Sequence, residues 1–563
     1  MKTPNIASVF ALFLAFVTAA HLSEGQSQAA VSLTKSSGWL ETAYVEWTND
    51  QANYISYNVY CRPKGGSYTQ LDRELVRNYG AYGRADALGL SQGSYQLKVV
   101  PVRPNGTEDT ANQTETPILS VLPHDRTGFA FVPKANSPAF DPTQGLGAYQ
   151  PDGTLKPNAR VIYVSAQTAK TVTLDVKTSS KGNTTNLTGL QTIIGEAGYK
   201  KGYEERPLCV RIIGMLTAED MDALQSASEG FQIKGKSAYS ALNITIEGVG
   251  NDATISGFGF LLRNACSVEL RNFAIMLCMD DCISIDTHNE HVWVHNIDFF
   301  YGNSGADSDQ AKGDGTVDIK GNSQFVTVSY NHLFDTGKSS LCGMMAETEP
   351  NYITYHHNWF DHTDSRHPRI RTMSVHLFNN FFDGVSKYGT AITSGANAFV
   401  EANYFRNCKY PMLIGGQGTD ALGKKPVLDD GTGGIIKAYA NVIQGAKSYV
   451  SYAQNPTDFD AYEVAQRSDT VPSTVTAKAG GYAYNNFDIS EIMYPCSPHD
   501  ANDVPDIVTG PMGAGRCQHG DFVWNFNNAT EDKNYRIIQP LKSALAAYRS
   551  GFVDFYVPLP KVQ

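Results

Sequence analysis

Between Asn243 and Asn441 the chain repeats one short pattern. Asn243-Ile244-Thr245-Ile246-Glu247 alternates apolar and polar positions, as a half-buried strand does. Similar runs then end in asparagine: Val268 to Asn272, Val292 to Asn296, Val326 to Asn331, Ile353 to Asn358, Val375 to Asn380, Phe399 to Asn403 and Ile436 to Asn441. The asparagines are 24, 35, 27, 22, 23 and 38 residues apart. A base period of 22 to 24 with insertions at constant phase predicts a right-handed parallel β-helix, one coil per repeat, with the extra residues confined to loops. An antiparallel sandwich with asparagine turns would not keep one long period. The seven asparagines are expected to stack as a ladder.

Upstream, from Val31 to Leu122, the segments Tyr44 to Trp47, Tyr54 to Cys61 and Ser94 to Val102 alternate between turns, and some seven short strands in this stretch predict a small β-sandwich. Trp47, Tyr57-Asn58-Val59-Tyr60, and Leu90 followed by Tyr95-Gln96-Leu97 resemble the core tryptophan and tyrosine corner of a fibronectin type III domain. That resemblance implies a spacer or docking module. A polar stretch from Pro123 to Asn158 leads into a strand at Arg160–Val164, and Thr217-Ala218-Glu219-Asp220 has the form of a helix N-terminus. Past Val450 the period fades. A last helix, Pro540 to Ser550, puts Leu541, Ala544, Leu545 and Tyr548 on one face and is expected to cap an open end of the solenoid. Lys2 ahead of an apolar run from Val9 to Ala20 reads as an export signal over residues 1–25, so a secreted protein, extracellular or periplasmic, is expected. The expected domains are 27–122 for the sandwich and 123–563 for the solenoid.

The formal net charge of -11 excludes a general nucleic-acid or acidic-membrane binder, so an anionic substrate must be met locally. Nine cysteines in 563 residues are accessories rather than a framework. Cys496 and Cys517, which bracket a Pro/Gly-rich loop, are the expected pair. Cys278 and Cys282 either pair or are buried thiols.

The chemistry concentrates between Asp280 and Arg371. Two acidic knots, Asp280-Asp281 and Asp314-Gly315-Thr316-Val317-Asp318, precede Lys338 and the cationic run Arg366-His367-Pro368-Arg369-Ile370-Arg371. Asp314 and Asp318 would lie roughly 13 Å apart in one straight strand, so the chain must turn at Gly315. Val317 and Ile319 alternate inward and turn Asp318 and Lys320 outward. Coils stack roughly 4.8 Å apart, so acids at the same corner of neighbouring coils can converge on one hard cation with oxygen ligands, Ca²⁺. Asp307 and Asp309, in an insertion just before, are read as loop decoration.

Gly313 to Lys320, Val326 to Asn331, Lys338, Thr354 to Asn358, Arg366 to Arg371 and Val375 to Asn380 resemble the pectate lyase family of parallel β-helices, and Ile244 to Gly259 is similar to its opening coils. The resemblance implies Ca²⁺-dependent β-elimination of polygalacturonate by a monomer. It makes Asp281, Asp314 and Asp318 calcium ligands, with Asp280 adjacent; Lys338 and Arg371 grip the uronate, helped by Arg369 and Lys320; Arg366 is the catalytic base. From residue types alone Arg366 reads as a carboxylate clamp and Lys338 as the base, because a guanidinium normally keeps its proton. The chain departs from the family at Met279, where an acid is usual, and at Trp293-Val294-His295-Asn296, where Trp-x-Asp-His is usual. Two other readings stay open. Asp280-Asp281-Cys282 resembles the paired aspartates of a polygalacturonase-type hydrolase, whose further Gly-His-Gly and Arg-Ile-Lys motifs are absent. The same cations would also serve a non-catalytic pectin-binding solenoid.

Overall fold

The period of the sequence is a turn of solenoid. The computed structural model describes residues 30–133, 140–195, 197–304, 310–348, 350–422, 427–428 and 432–556. The export signal expected at 1–25 and the pair Asp307 and Asp309 lie outside the described residues. A complete coil contributes one strand to each of three parallel sheets, which among the described residues hold eleven, nine and eight strands because the coils at either end are incomplete. Inward positions stack like on like: Ile244, Val268, Val292, Val326, Ile353 and Val375 are successive partners in the 11-stranded sheet, all buried. A column of β-branched side chains suits this pleated interior.

The asparagine ladder is real but shorter than expected. Asn331 donates its side-chain amide to Asn358 Oδ1 (3.0 Å), Asn358 to Asn380 (2.9 Å), Asn380 to Asn403 (2.9 Å) and Asn403 to Asn441 (3.1 Å). Asn272 and Asn296 sit one position earlier, because Arg271 and His295 are in register with Ser329 and therefore align the two asparagines with Tyr330. That earlier position is a corner where the backbone is left-handed, with φ of 58° at Asn272, 50° at Asn296 and 53° at Tyr330. Asparagine tolerates this conformation well, which explains its presence at the corner for a different reason from the ladder.

The expected sandwich is present as two antiparallel sheets. Leu33–Gly38, Thr42–Thr48, Tyr82–Leu88 and Val76–Asn78 form one, and Thr69–Gln70, Ser56–Pro63, Gly93–Val102, Thr114–Glu115 and Leu119–Val121 the other. Trp47, Val59, Leu97 and Val99 are fully buried between them. The first sheet gains a strand from the far end of the chain, Asp554–Phe555, paired with Arg77 and Asn78. The linker is fastened to the solenoid by outward-facing hydroxyls: Phe129 and Ala130 donate their N–H groups to Thr354 and Thr327, and Ala148 donates to Thr245.

Three local expectations are corrected. The Thr217 signal caps a single 3₁₀ turn, Ala218–Asp220. The terminal helix, Gln539–Ala547, does bury Leu541, Leu545 and the following Tyr548, but against Ala274, Met276, Phe300 and Phe334 on the flank of the nine-stranded sheet rather than over an end. Cys496 and Cys517 do not pair. The loop between them is pinned to separate coils, His499 N–H donating to Asn379 Oδ1 (2.8 Å) and Arg516 pairing with Asp298 (2.8 Å), so Cys517 is buried beside Trp39 and Tyr44 while Cys496 packs on the solenoid core.

In Asn358→Ala the N–H of Asn331, its amide and the Val328 carbonyl all lose a buried partner. At about 1–3 kcal/mol per orphaned group, partly relieved by relaxation, urea unfolding should show a loss of about 2–4 kcal/mol. Asn441→Ala, at the half-buried end of the ladder, should lose about half as much. Equal losses would mean that the ladder is not what holds the corner.

Candidate active site

Asp280, Asp281, Asp314, Lys338 and Arg366 stand where the chain turns from the nine-stranded into the eight-stranded sheet, while Asp318 lies inside its strand and Lys320 and Arg371 at the far ends of theirs. They come from four successive coils. Asp280 and Asp281 precede Ile283–Asp286; Asp314 precedes Gly315–Lys320, which contains Asp318; Lys338 opens Lys338–Cys342; and Arg366 precedes Arg369–Arg371. Register fixes the stacking, since Gly315 lies beside Lys338, and Lys338 beside Ser365.

The acids form a cradle. Carboxylate oxygens of Asp280, Asp281 and Asp314 lie within 4.8 Å of one another. Asp318 joins from beneath: a β-carbon on Gly315 would stand 2.5 Å from Asp318 Oδ1 and 2.6 Å from Asp281 Oδ1, so only glycine leaves that space to the two oxygens. Val317 and Ile319 point into the core as the alternation predicts, yet outward-facing Asp318 is itself buried. Burial first, and then the Asp281 carboxylate, push the Asp318 carboxyl up to about 7. The same two causes raise Asp280. Lys320 offsets part of this charge, its Nζ 2.8 Å from Asp281 and 3.8 Å from Asp318. The donor set is all carboxylate oxygen, which suits a hard divalent cation and offers nothing to a thiolate- or imidazole-seeking one. Met279, exposed on the same loop, supplies no side-chain oxygen.

Lys338 stands one coil on from Asp314, and Arg366 to Arg371 two coils on. Lys338 Nζ reaches Asp314 Oδ1 at 3.2 Å and marks the seam between the two charges. Arg366 holds a left-handed φ of 64°, its carbonyl accepting the Ser340 N–H at 2.7 Å. Ile370 is buried in the core, which turns Arg369 and Arg371 to the outer face. Beside the cradle a cavity of about 170 Å³ is lined by Asp280, Asp281, Ser284, Asp286, Lys320 and Arg263.

Sequence reasoning missed the brace behind this site. Lys312 is buried and pairs with Asp335 (2.5 Å) and Asp364 (2.9 Å); Tyr301 donates its hydroxyl to Asp335, and Ser386 to Asp364 at 2.6 Å. Lys312 is two residues before Asp314, Asp335 three before Lys338 and Asp364 two before Arg366. The coil phase that aligned the acids would have aligned these three as well.

The folded Asp318 carboxyl keeps its proton to about pH 7, whereas an unfolded one releases it near 3.8. The folded state therefore holds more protons between those values, and stability falls as pH rises through them. Asp318→Asn in chelator should be more stable than the parent by up to about 4 kcal/mol at pH 8, with the gain gone by pH 4. A thermal melt at pH 8 showing no gain would rule out this strain.

A family model described as pectate lyase matches residues 208–486. Pectate lyase 3 of Pectobacterium carotovorum subsp. carotovorum is 31% identical over 278 residues, covering 48% of this chain and 67% of that protein. A pectate trisaccharide-lyase of Bacillus licheniformis is 28% identical over 244 residues, covering 41% and 67%. Similar solved structures include a Bacillus sp. N165 pectate lyase in complex with trigalacturonate (21% identity, TM-score 0.46, covering 70% of this chain and 99% of that one) and pectate lyase C of Erwinia chrysanthemi with Ca²⁺ (22%, TM-score 0.41, covering 66% and 95%). With this level of identity across two thirds of a relative's length, the chain belongs to the pectate lyase family.

Proposed function

We propose that this protein is a secreted, monomeric, calcium-dependent pectate lyase that cleaves polygalacturonate by β-elimination. The observation that carries the reading is the juxtaposition of an all-oxygen cradle with Lys338 and, one coil further on, Arg366 at the entry to the eight-stranded sheet, acids and cations meeting at Asp314 and Lys338. Asp280, Asp281, Asp314 and Asp318 would hold the Ca²⁺. When bound, the ion would neutralise a uronate carboxylate and so make the proton alpha to it more acidic.

The chain's own residues do the rest. Lys338 and Arg371 grip uronate carboxylates, with Arg369 and Lys320 adding positive charge along the groove. Arg366 removes the α-proton; the electron pair forms the new carbon–carbon double bond, and the glycosidic oxygen on the β-carbon departs. The arginine side chain can take the α-proton only in its deprotonated fraction, so turnover should climb with pH into the alkaline range.

The N-terminal unit, 27–122, is in this reading a fibronectin type III-like module, and 123–563 the catalytic solenoid, exported by the signal at 1–25. Two features support the module: Trp47 is fully buried, and Tyr95 donates its hydroxyl to the Ser91 carbonyl at 3.0 Å, as in a tyrosine corner.

Incubation with polygalacturonate, with Ca²⁺ or with chelator, separates the readings. Ultraviolet-absorbing unsaturated uronide formed only with Ca²⁺ is the expected result. New reducing ends without Ca²⁺ would mean a hydrolase, and retention without products a binding solenoid. Arg366→Ala should lower kcat at least about 100-fold, the scale of a lost general base, while calorimetric Ca²⁺ affinity stays unchanged. Unaltered turnover would remove Arg366 from its role.

A further inference from the structure

The sulfurs of Cys278 and Cys282 lie 2.7 Å apart, too close for two unbonded sulfur atoms and less than an ångström beyond the disulfide bond length of about 2.05 Å. Both side chains are buried, at 1% and 3% exposure. The backbone keeps them from moving apart. The Cys278 carbonyl accepts the Asn303 N–H (2.8 Å), Cys282 donates its own N–H to the Gly315 carbonyl (2.9 Å), and the Cys282 carbonyl accepts the Phe260 N–H (2.9 Å). Gly302 makes room for the pair, since a β-carbon there would lie 3.3 Å from the Cys278 sulfur. Cys209 and Cys342, by contrast, meet oxygen: the carboxylate of Glu247 and the hydroxyl of Tyr355.

We propose that Cys278 and Cys282 are joined as a disulfide, and that this bond clamps the three residues between them, Met279-Asp280-Asp281, in the shape that presents the two aspartates to the cation. The clamp's role rests on the calcium reading above; the bond itself does not. Formation needs a disulfide oxidant of the kind met outside the reducing cytoplasm. One cysteine thiolate attacks the oxidant and releases one of its thiols, and the second cysteine then displaces the other. Both cysteine protons leave, two electrons pass to the oxidant, and one sulfur–sulfur bond replaces another. The product is a five-residue covalent ring with both ends in the core and the acids on its outer side. Fixing such a loop before the ion arrives removes ordering that binding would otherwise have to impose.

The test uses the full chain purified without reductant, denatured and alkylated. We expect the peptide carrying Cys278 and Cys282 to stay unmodified and lighter by two hydrogens, taking up two alkyl groups only after reduction; the other seven of the nine cysteines serve as controls. Alkylation of both without reduction overturns the bond. Calcium titration of the folded protein before and after mild reduction, and of Cys278→Ala/Cys282→Ala, should then show Ca²⁺ affinity weaker by about 3- to 10-fold in the open forms, with kcat at saturating Ca²⁺ retained. Equal affinities with the bond present overturn the clamp. Absence of Ca²⁺ binding in every form would overturn the calcium reading instead, while the alkylation map still decides the bond.

Discussion

One buried ammonium holds the candidate site of this solenoid together. Lys312 lies between Asp335 and Asp364, which belong to the next two coils, and all three precede site residues by two or three positions. Burying an unpaired lysine would cost several kcal/mol, and two carboxylates facing each other without it would cost at least as much, so the group is stable only complete. Even so, burial holds Asp335 up at about 7 against the pull of Lys312. The brace ties the loop bearing Asp314 to the approaches to Lys338 and Arg366, so acid and cation cannot drift independently.

A parallel solenoid suits such a site because its geometry is set by stacking rather than by loop conformation. Every coil passes the same corner at nearly the same place, and a residue's phase in the repeat decides where it arrives. Acids on two coils and cations on the next two make a steep change of charge across roughly 15 Å of stacked strands. Two devices keep the corners in phase. Left-handed residues such as Tyr330, His357 and Asn379 turn the chain, and the bonded amides from Asn331 to Asn441 fix the following position.

The solenoid was legible because its signals are local and repeated: alternation gives the strand, period gives the coil, and coil phase brings together acids more than thirty residues apart. The acidic cradle followed from that phase. The coils that carry the cations follow from it too, since Lys338 lies between Asn331 and Asn358 and Arg366 to Arg371 between Asn358 and Asn380. Ladder and corner asparagines look identical in sequence, being one position apart, so the sequence alone puts Asn272 and Asn296 in the ladder row although they belong to the corner row. Single long-range contacts left no trace at all, among them the return of Asp554–Phe555 to the sandwich and the separation of Cys496 from Cys517, whereas the Lys312 brace lay within reach of the coil phase.

That returning strand changes what the N-terminal unit is physically. A spacer on a flexible linker would meet the solenoid through a small, wet interface. Here Arg77, wholly buried, pairs with Asp86 inside the sandwich and donates to the Val249 carbonyl of the solenoid at 3.0 Å. Tyr79 donates to Asp252 (2.8 Å), and buried Arg271 of the solenoid pairs with Glu41 of the sandwich (3.1 Å). Separating the units would strand these charges in partly apolar surroundings and strip an edge strand from the first sheet. The chain crosses between the two bodies at both ends, through Pro123 to Asn158 and again after the terminal helix, so neither can move without pulling on the other. The sandwich is a fixed wall of the solenoid's opening coils, and whatever it contributes to substrate binding it does from one position.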